Sequence, residues 1–402
     1  MASATSTAPV STRLTWLDGM KGISILWIAF FHFFGTYANH RYPDVLGPHY
    51  FPSFVSQCAP SSALGTLGCI AQGFFVAISS CGFHAVGVFL VLSGFGLTYS
   101  LARTGKPEGG WLGWYHGRLL RLFPMYWVAH LIYLVSPFIA RPEPLDYRFI
   151  LSLLGDRIYP VDTIFYYVNP AWWYFGLLVQ LYLVFPILFR LLQQLGSVWF
   201  LVLCGLITVI GRYLLLSVLG AHGYYVQGAF FGSRLWEFAA GMVLGLFYRR
   251  QQVVTEEWLF KGVTFFAGVV IYTLGLYSYA TILSYTVTDA LLGTGLFIIL
   301  AHIALWSELL PRLAGTLAYV GAFSYGLYLL HQPYVLYFGE RMRNLSLPVF
   351  IVLACVIIAL LTSATIPLER YVNQLTSRVL DRKKESTLPL KAEEHARPSA
   401  VH

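Results

Sequence analysis

A lysine and a histidine lie eleven positions apart in an apolar stretch near the start of the chain, Lys21 and His32. At about 100° and about 1.5 Å per residue, an α-helix places both on one face, roughly 16 Å apart. If Lys21 lies at a membrane interface, His32 lies near the middle of a hydrocarbon core about 30 Å thick. A histidine at that depth is costly, which makes His32 a candidate functional residue; an interhelical packing contact is the alternative.

A second histidine occurs in the segment SYGLYLLHQP, residues 324–333. Ser324, Tyr328 and His331 follow one another at i, i+4 and i+7, so a helix presents a hydroxyl, a phenol and an imidazole on one face. Together with the first histidine, this stripe predicts a buried polar chamber that is reached from the cytoplasm.

Two pairs of charged residues have helical spacing. Arg118 and Arg121 are three positions apart before an apolar segment, where their guanidinium groups suit phosphate oxygens. An anchor that binds lipid headgroups is the alternative. Arg234 and Glu237, also three apart, can pair within an apolar helix, either as a structural pair or as the lining of a polar cavity.

Composition fixes the class of protein. Of 402 residues, 57% are hydrophobic and 11% are charged, whereas a soluble domain has about 25% charged residues. The chain is predicted to be an all-α polytopic membrane protein with membrane lipid as a partner. The net charge of +8 follows from where charges fall relative to the bilayer, and no motif indicates nucleic acid. His32, His84 and His331 lack local metal-ligand spacing, so no metal is predicted.

Apolar windows predict about ten transmembrane helices. They begin with the segment that contains His32 and continue at 84–101, 119–140, 171–193, 197–217, 227–248, 259–280, 284–305, 313–338 and 346–368. Most of the 26 Lys and Arg then fall on one side, which places both termini in the cytoplasm.

The remaining segments complete the predicted organisation. Residues 1–12 form a disordered tail, 13–373 the transmembrane domain, and 374–402 a charged, disordered cytoplasmic tail. An external loop covers about 39–83, with a re-entrant piece or an eleventh span as alternatives. One disulfide among Cys58, Cys69 and Cys81 can form there if that side is oxidising.

The chain resembles the membrane acyltransferase-3 family. The matching elements occur in the family's order: Lys21 followed by ten residues and then His32; VFLVLSGF (88–95); Arg118 and Arg121 in RLLRLFP; WWYFGLLVQLYLVFP (172–186); RLWEFAAG (234–241); SYGLYLLHQP (324–333); and PLER (367–370). Each motif alone is weak, but the ordered set is specific and covers about residues 14–371.

The resemblance implies transfer of an acyl group, usually acetyl, from cytoplasmic acyl-CoA to a hydroxyl of a carbohydrate or glycoconjugate. It also implies roles for the basic residue and histidine of the first helix, the arginine pair and the serine-glycine motif. These fall on Lys21, His32, Arg118, Arg121, Ser93 and Gly94. Lys21 replaces the commoner arginine, and Leu178 and Val179 stand where many members carry glutamate, so no acidic role is carried over there. The small residues Ser93 and Gly94 also fit close helix packing.

A mechanism follows as a hypothesis. Arg118 and Arg121, with Lys21, hold the CoA phosphates, while His32 takes the proton from the acceptor hydroxyl. His331, Tyr328 or Ser93 stabilises the oxyanion. Acyl-CoA is a co-substrate, and no tightly bound cofactor is predicted. The expected location is the bacterial cytoplasmic membrane. The alternative is a transporter or flippase for a glycan or lipid-linked sugar, although the chain lacks the doubled halves common in such proteins.

Overall fold

The computed structural model describes residues 14–42, 50, 53–54, 56, 63–139, 142–221 and 223–394. Helix makes up 84% of the structure, and the described residues contain no strand. The α-helices are, in chain order, α1 Thr15–Ala38, α2 Ala63–Ser80, α3 Ala85–Leu101, α4 Gly110–Val135, α5 Tyr147–Leu153, α6 Trp173–Tyr213, α7 Leu235–Arg250, α8 Gln252–Leu259, α9 Gly262–Tyr277, α10 Thr288–Ser307, α11 Pro311–Ala322, α12 Ser324–Arg341 and α13 Leu347–Glu394. Shorter helical turns occur at Gly82–His84, Val161–Ile164, Pro170–Trp172, Leu214–Val218, Tyr225–Ala229, Phe231–Arg234, Ser278–Ala280 and Ile282–Tyr285.

Several helices can cross a membrane. Within the described residues, six helical stretches are long and apolar enough, and the bent pair α11 and α12 makes a seventh. The chain is therefore an all-α, multi-pass integral membrane protein, as predicted. Helices occupy all ten predicted windows, but the number ten and the cytoplasmic termini stay predictions. The structure has fewer candidate spans than the ten predicted, partly because the single helix α6 covers two of the predicted windows. It is broken at Gly196. Its φ of 74° lies in the left-handed region that glycine adopts without steric cost.

The region predicted as an external loop, about 39–83, contains the helix α2. Glycines in this region suggested irregular structure, but a glycine weakens a helix by only about 1 kcal/mol, which packing offsets. Gly73 lies against the Phe54 ring. With α3, this helix forms the apolar stretch Gly65–Leu101. Cys69 is disulfide-bonded.

The last helix continues beyond residue 373, where the sequence predicts the disordered tail to begin. Residues 374–394 are helical as part of α13, because the charged segment extends an apolar helix that is already formed and needs no new nucleation. The predicted tail at 1–12, and residues 395–402, lie outside the described residues.

The first helix lies inside the bundle, whereas α9 lies at its edge. In the most apolar window of α1, 61% of the residues are buried, compared with 17% in the window containing α9. Exposed apolar side chains follow one face of α9: Phe266, Val270 and Leu274. Such a stripe suits contact with lipid tails. Polar groups on α1 are therefore enclosed by other helices.

Helices α1 and α11 approach so closely that their backbones touch. A Cβ atom on Gly321 would lie 1.8 Å from the Asp18 carbonyl oxygen, and one on Gly22 would lie 2.1 Å from that of Leu317. Only glycine permits this approach. The contact fixes α11 against the start of α1, and α12 then follows α1 into the membrane.

Candidate active site

His32 and His331 meet inside the helix bundle. Their ring centroids are 5.4 Å apart, and the ring planes are tilted by 36°. His331 is fully buried, and the neighbouring Gln332 places its side-chain nitrogen 3.5 Å from His32 Nδ1. The structure thus brings together the two membrane histidines that the sequence singled out.

Helices α1 and α12 run in the same direction and keep this register beyond the histidines. The Tyr37 hydroxyl donates to the Leu345 carbonyl oxygen at 2.9 Å, and Arg343 Nε donates to the Thr36 carbonyl oxygen at 3.2 Å. These contacts lie about one helical turn or more past the histidine pair. They hold the end of α1 against the turn that follows α12.

A buried carboxylate holds the start of α12, where the chain bends by 80° after α11. The first N–H groups of a helix have no partner within it. The N–H of Gly326 donates to Glu369 Oε2 at 2.7 Å, and the negative charge suits the positive end of the helix. The Tyr325 hydroxyl donates to the Leu122 carbonyl oxygen at 2.8 Å. Both contacts set the depth at which His331 enters the membrane.

Proline explains a second set of contacts around α12. Pro333 has no N–H, so the carbonyl of Leu329, four residues earlier, lacks its usual helical partner. Asn169 Nδ2 and Trp172 Nε1 each donate to this oxygen at 2.9 Å. They hold α12 two residues before His331, so we regard Asn169 and Trp172 as positioning residues. In the sequence, only Pro333, four residues after Leu329, indicates that such donors are needed.

Replacing Asn169 with alanine removes its hydrogen bond to Leu329 and the one that Oδ1 accepts from the Ala171 N–H, and it is expected to lower the rate of acyl transfer by about tenfold or more. The KM for acyl-CoA should stay unchanged, because the displaced group is His331 and not the phosphate site. In the double variant with Pro333→Ala, the new N–H pairs with Leu329, and most of the rate should return. A double variant as slow as Asn169→Ala would show that this carbonyl does not position the histidine.

The hydrogen bonds of His331 determine its tautomer. Nδ1 lies 3.0 Å from the Leu327 carbonyl oxygen and 2.9 Å from that of Tyr328. Carbonyl oxygens only accept, so Nδ1 carries the hydrogen. Nε2 is buried without a partner and presents a lone pair. Neutral His331 therefore accepts a proton or hydrogen bond at Nε2, which does not fit the predicted role as a donor to an oxyanion.

The amide of Gln332 faces the His32 ring. Its NH₂ group lies 3.5 Å from His32 Nδ1, and an NH₂ group only donates. Gln332 Oε1 is buried without a hydrogen bond. A half-turn of the carboxamide about its last bond presents this oxygen to His32 instead, so that Nδ1 carries the hydrogen and Nε2 is the proton acceptor. We therefore add Gln332 as a positioning residue that the sequence pattern did not indicate.

The hydroxyls of Tyr328 and Ser93, which were predicted as oxyanion donors, have hydrogen-bond partners within the protein, and their catalytic role stays a prediction. The Tyr328 hydroxyl donates to the Ala171 carbonyl oxygen at 2.7 Å and accepts from the Phe175 N–H at 3.0 Å, which ties α12 to α6. The Ser93 hydroxyl pairs with the Tyr174 side chain. The two residues of the polar stripe on α12 therefore have different contacts: Tyr328 binds the backbone at 171 and 175, whereas His331 faces α1.

Gly94 of the serine-glycine motif packs closely against α7. A Cβ atom on Gly94 would lie 2.0 Å from the Phe238 carbonyl oxygen of α7, and one on Gly241 of α7 would lie 1.9 Å from that of Val91. The two helices approach through these glycines as tightly as backbones allow. Gly96, by contrast, faces open space.

The predicted phosphate-binding residues lie near the start of α12. Arg118 stacks over the Trp114 ring at 5.4 Å, while Arg121 is exposed and lies within electrostatic range of Glu369. Lys21 forms an ion pair with Asp18 at 3.0 Å, so its charge is partly neutralised. The arginines, rather than Lys21, are the cations better placed for an anion.

The predicted pair of Arg234 and Glu237 forms, with Nε and Oε1 2.7 Å apart, but it belongs to a larger group. Asp289 bridges Arg234 at 3.4 Å and Arg212 at 2.5 Å. We call these four residues the charged cluster. Spacing within one helix reveals the first pair, whereas Arg212 and Asp289 come from other helices and carry no sequence signal.

The three histidines considered for a metal do not converge. Two phenyl rings separate His84 from His32: His32 to Phe31 is 4.8 Å, Phe31 to Phe83 is 5.3 Å, and Phe83 to His84 is 4.1 Å between ring centroids. Within the described part of the chain, no three His, Cys, Asp or Glu side chains are placed to hold a metal ion. Metal-free chemistry stays a prediction.

A cavity of about 290 Å³ lies apart from both histidines, between α6, α7, α9 and α10. Apolar side chains such as Ile271 and Leu291 form much of its wall. Its polar atoms are paired with each other, since Trp236 Nε1 donates to Thr294 Oγ1 at 3.1 Å. No predicted catalytic or phosphate-binding residue lines this cavity.

Comparison with known proteins gives the family of the chain. The sequence model of the acyltransferase-3 family, described as an acyltransferase domain, matches residues 14–367. Neither the curated proteins nor the solved structures give a significant match to the chain. The family match includes α1, α12 and the arginine pair, and it covers far more than half of the sequence. The chain therefore belongs to the acyltransferase-3 family of membrane acyltransferases.

Proposed function

We propose that this protein transfers an acetyl group from cytoplasmic acetyl-CoA to a hydroxyl of a carbohydrate or glycoconjugate. The observation that carries the proposal is the pairing of His32 with His331, at 5.4 Å, inside a chain of an acyltransferase family. Thioester alcoholysis needs a base to remove the hydroxyl proton. A histidine pair enclosed by helices supplies one where bulk water is excluded.

In this mechanism, His32 is the base and Gln332 holds its Nδ1 proton. Nε2 of His32 removes the hydroxyl proton as the acceptor oxygen attacks the thioester carbon. The C–O bond forms, the C–S bond breaks, and the imidazolium returns the proton to the CoA thiolate. The His331 ring, whose centroid lies 5.4 Å from that of His32, has a lone pair on Nε2 and stabilises the positive charge while His32 is protonated.

The geometry of α12 relates the donor site to the base. Tyr325, bonded to Leu122, marks the level of Arg121 along α12. His331 lies six residues further, which is about 9 Å at 1.5 Å per residue. CoA phosphates bound by Arg118 and Arg121 would leave the pantetheine arm to cover this distance. The site thus suits an anionic carrier with an extended reactive arm.

Replacing Arg118 and Arg121 together with glutamine is expected to raise the KM for acetyl-CoA by more than about tenfold, because two charge-assisted contacts are lost. The kcat should change less, since neither residue reaches the reacting atoms. Arg103→Gln, an exposed arginine in the turn after α3, is the matched control. An unchanged KM in the double variant would assign the pair to lipid headgroups instead.

The proposal is tested by following radioactive acetyl from acetyl-CoA into alkali-labile ester, in membranes with and without the protein. Protein-dependent label supports acyl transfer, and hydroxylamine release identifies the acceptor. A transporter for a glycan or lipid-linked sugar does not consume thioester. No protein-dependent loss of acetyl-CoA, with sugar transport intact, would therefore replace the proposal with the transport function.

The proposed location is the bacterial cytoplasmic membrane, with ten spans and both termini inside. Support comes from the cationic segments, which fall on one side in that arrangement. Membrane lipid surrounds the protein, acetyl-CoA is a co-substrate, and the proposed reaction needs no tightly bound cofactor. Nucleic acid has no part in it.

A further inference from the structure

A buried arginine, Arg157, contacts the segment that carries the positioning residues Asn169 and Trp172. It is 1% exposed, and its guanidinium group lies over the Trp172 ring at 5.4 Å. Among the residues that the structure describes, no carboxylate forms an ion pair with it. A buried charge is costly unless hydrogen bonds or an opposite charge compensate it. Neutral partners therefore keep this group inside the protein, and they indicate its role.

One side of the guanidinium group belongs to a hydrogen-bond network with α4 and α5. Arg157 Nη2 donates to the Tyr126 hydroxyl at 2.9 Å and to Ser152 Oγ at 2.6 Å. His130 Nδ1 lies 2.9 Å from the Tyr126 carbonyl oxygen, so this nitrogen carries the hydrogen. His130 Nε2 then accepts from Ser152 Oγ at 2.8 Å. The groups that hold this side of the arginine are therefore fixed themselves.

The other side of the guanidinium group binds the backbone of the segment before α6. Arg157 Nη1 donates to the carbonyl oxygens of Ile164 at 3.0 Å and Tyr167 at 2.8 Å. The Tyr167 oxygen also accepts from the Asn169 N–H at 2.8 Å. A hydrogen bond between residues two positions apart closes a γ-turn. Arg157 thus binds the oxygen on which the γ-turn at 167–169 closes.

This γ-turn is strained. Its central residue, Val168, has a φ of 66°, which is unfavourable for a β-branched side chain, and γ-turns with a positive φ are rare. Such a conformation persists only when the surrounding structure enforces it. Val168 is 5% exposed and belongs to the apolar cluster that contains Leu329 and Leu330. Packing of this side chain, together with the hydrogen bond from Arg157, holds the γ-turn in place.

The γ-turn determines where Asn169 and Trp172 meet α12. Asn169 Oδ1 accepts from the Ala171 N–H at 2.9 Å, and the Trp172 N–H donates to the Asn169 carbonyl oxygen at 3.0 Å. Asn169 and Trp172 therefore form one unit whose direction depends on the dihedral angles of Val168. A rotation there would move both donors away from the Leu329 carbonyl oxygen.

We propose that Arg157 is a positioning residue that enforces the strained γ-turn and thereby places His331 for catalysis. The inference rests on the proposed function, because it gives a distant arginine a role in the placement of the histidine pair. The effect passes from the guanidinium group to the γ-turn and then through Asn169 and Trp172 to α12. His331 lies two residues beyond the carbonyl that these two side chains bind.

The γ-turn is tested without catalysis, by hydrogen–deuterium exchange of the protein in nanodiscs, followed in peptides that cover residues 164–173. Arg157→Met keeps much of the side-chain length but donates no hydrogen bond, so exchange at these amides should become faster. The double variant with Val168→Gly should slow it again, because glycine adopts a positive φ without strain. Arg148→Gln is the matched control. Arg148 donates to the Thr163 carbonyl oxygen of the same segment at 3.4 Å, and its loss should leave exchange unchanged.

Faster exchange that is confined to residues 164–173 supports the proposal. Unchanged exchange in Arg157→Met would overturn it, and so would an equal rise in α9 and α10, since the arginine would then serve the whole fold. If Arg157→Met does not accumulate, Arg157→Lys takes its place in the same measurement. Lysine keeps the charge but lacks the fork of two nitrogens that binds both sides.

Catalysis provides the second test. Arg157→Met should lower kcat by about tenfold or more, as expected for lost hydrogen bonds, with the KM for acetyl-CoA unchanged. Adding Asn169→Ala should lower kcat little further, because both changes act through the same contact.

The addition of Val168→Gly to Arg157→Met separates positioning from stability. The glycine should raise kcat because it relieves the strain, and it should lower the Tm because a packed side chain is lost. A kcat that falls together with the Tm would overturn the proposal and leave the arginine a purely structural role. If the wild type consumes no acetyl-CoA at all, the proposed function fails separately, and the exchange measurement still decides whether Arg157 enforces the γ-turn.

Discussion

Alanine in place of His32 is expected to reduce acetyl transfer by at least about a hundredfold, which is the lower range for loss of a general base. His331 is not expected to replace it, because two backbone carbonyl oxygens hold its Nδ1 hydrogen and fix its ring. The measurement is incorporation of labelled acetyl into alkali-labile ester at matched expression. The KM for acetyl-CoA should remain close to that of the wild type.

Two further measurements make this result interpretable. His116→Ala changes an exposed histidine on α4 and should leave transfer unchanged. The Tm of His32→Ala in detergent should stay near the wild-type value, which separates lost chemistry from lost folding. Equal transfer by His32→Ala and wild type would reject His32 as the base and transfer that role to His331. If the double variant His32→Ala/His331→Ala is no slower than His32→Ala or His331→Ala alone, the two imidazoles act as a unit.

The second large effect concerns folding. Valine at Gly94 should prevent accumulation of folded protein, because its Cβ would lie 2.0 Å from the Phe238 carbonyl oxygen. That oxygen belongs to the backbone of α7, so only separation of the two helices relieves the clash, at a cost of about 3 kcal/mol or more. The measurement is the yield of monodisperse protein on size exclusion after detergent extraction.

Valine at Gly96 provides the matched control for this change. Gly96 lies two residues away on the same helix, and nothing lies within 4 Å of its added Cβ. Yield and activity should both resemble the wild type. Normal folding of Gly94→Val with loss of activity would contradict the packing interpretation and support a direct functional role for the serine-glycine motif.

Features that lie within one helix could be predicted from the sequence. The eleven-residue spacing of Lys21 and His32 and the i, i+3 spacing of Arg234 and Glu237 are properties of a single helix, so they could be read directly. The class of protein followed from composition. That His32 meets His331 was only suggested, because contact between α1 and α12 depends on the bend between α11 and α12.

Other features depend on contacts between distant segments and could not be predicted. Tyr328 shares a predicted face with His331, yet its hydroxyl binds α6, since a neighbouring backbone offered both a donor and an acceptor. Asp289 joins Arg234 to Arg212 across two other helices. The helix α2 lies where the sequence predicts an external loop, with a re-entrant piece or an eleventh span as alternatives, because glycines in an apolar run do not distinguish these unless the surface that packs against them is known.

The carbonyl of Leu329 links two stretches of sequence that are more than 150 residues apart. A chain with an N–H at position 333 would pair that carbonyl within its own helix, and the donors at 169 and 172 would lose their acceptor. Selection on any one of these positions therefore depends on the other two. Among relatives, proline at 333 should be found together with Asn169 and Trp172 and should disappear together with them. Positions 169, 172 and 333 should therefore covary across the family, because together they position α12.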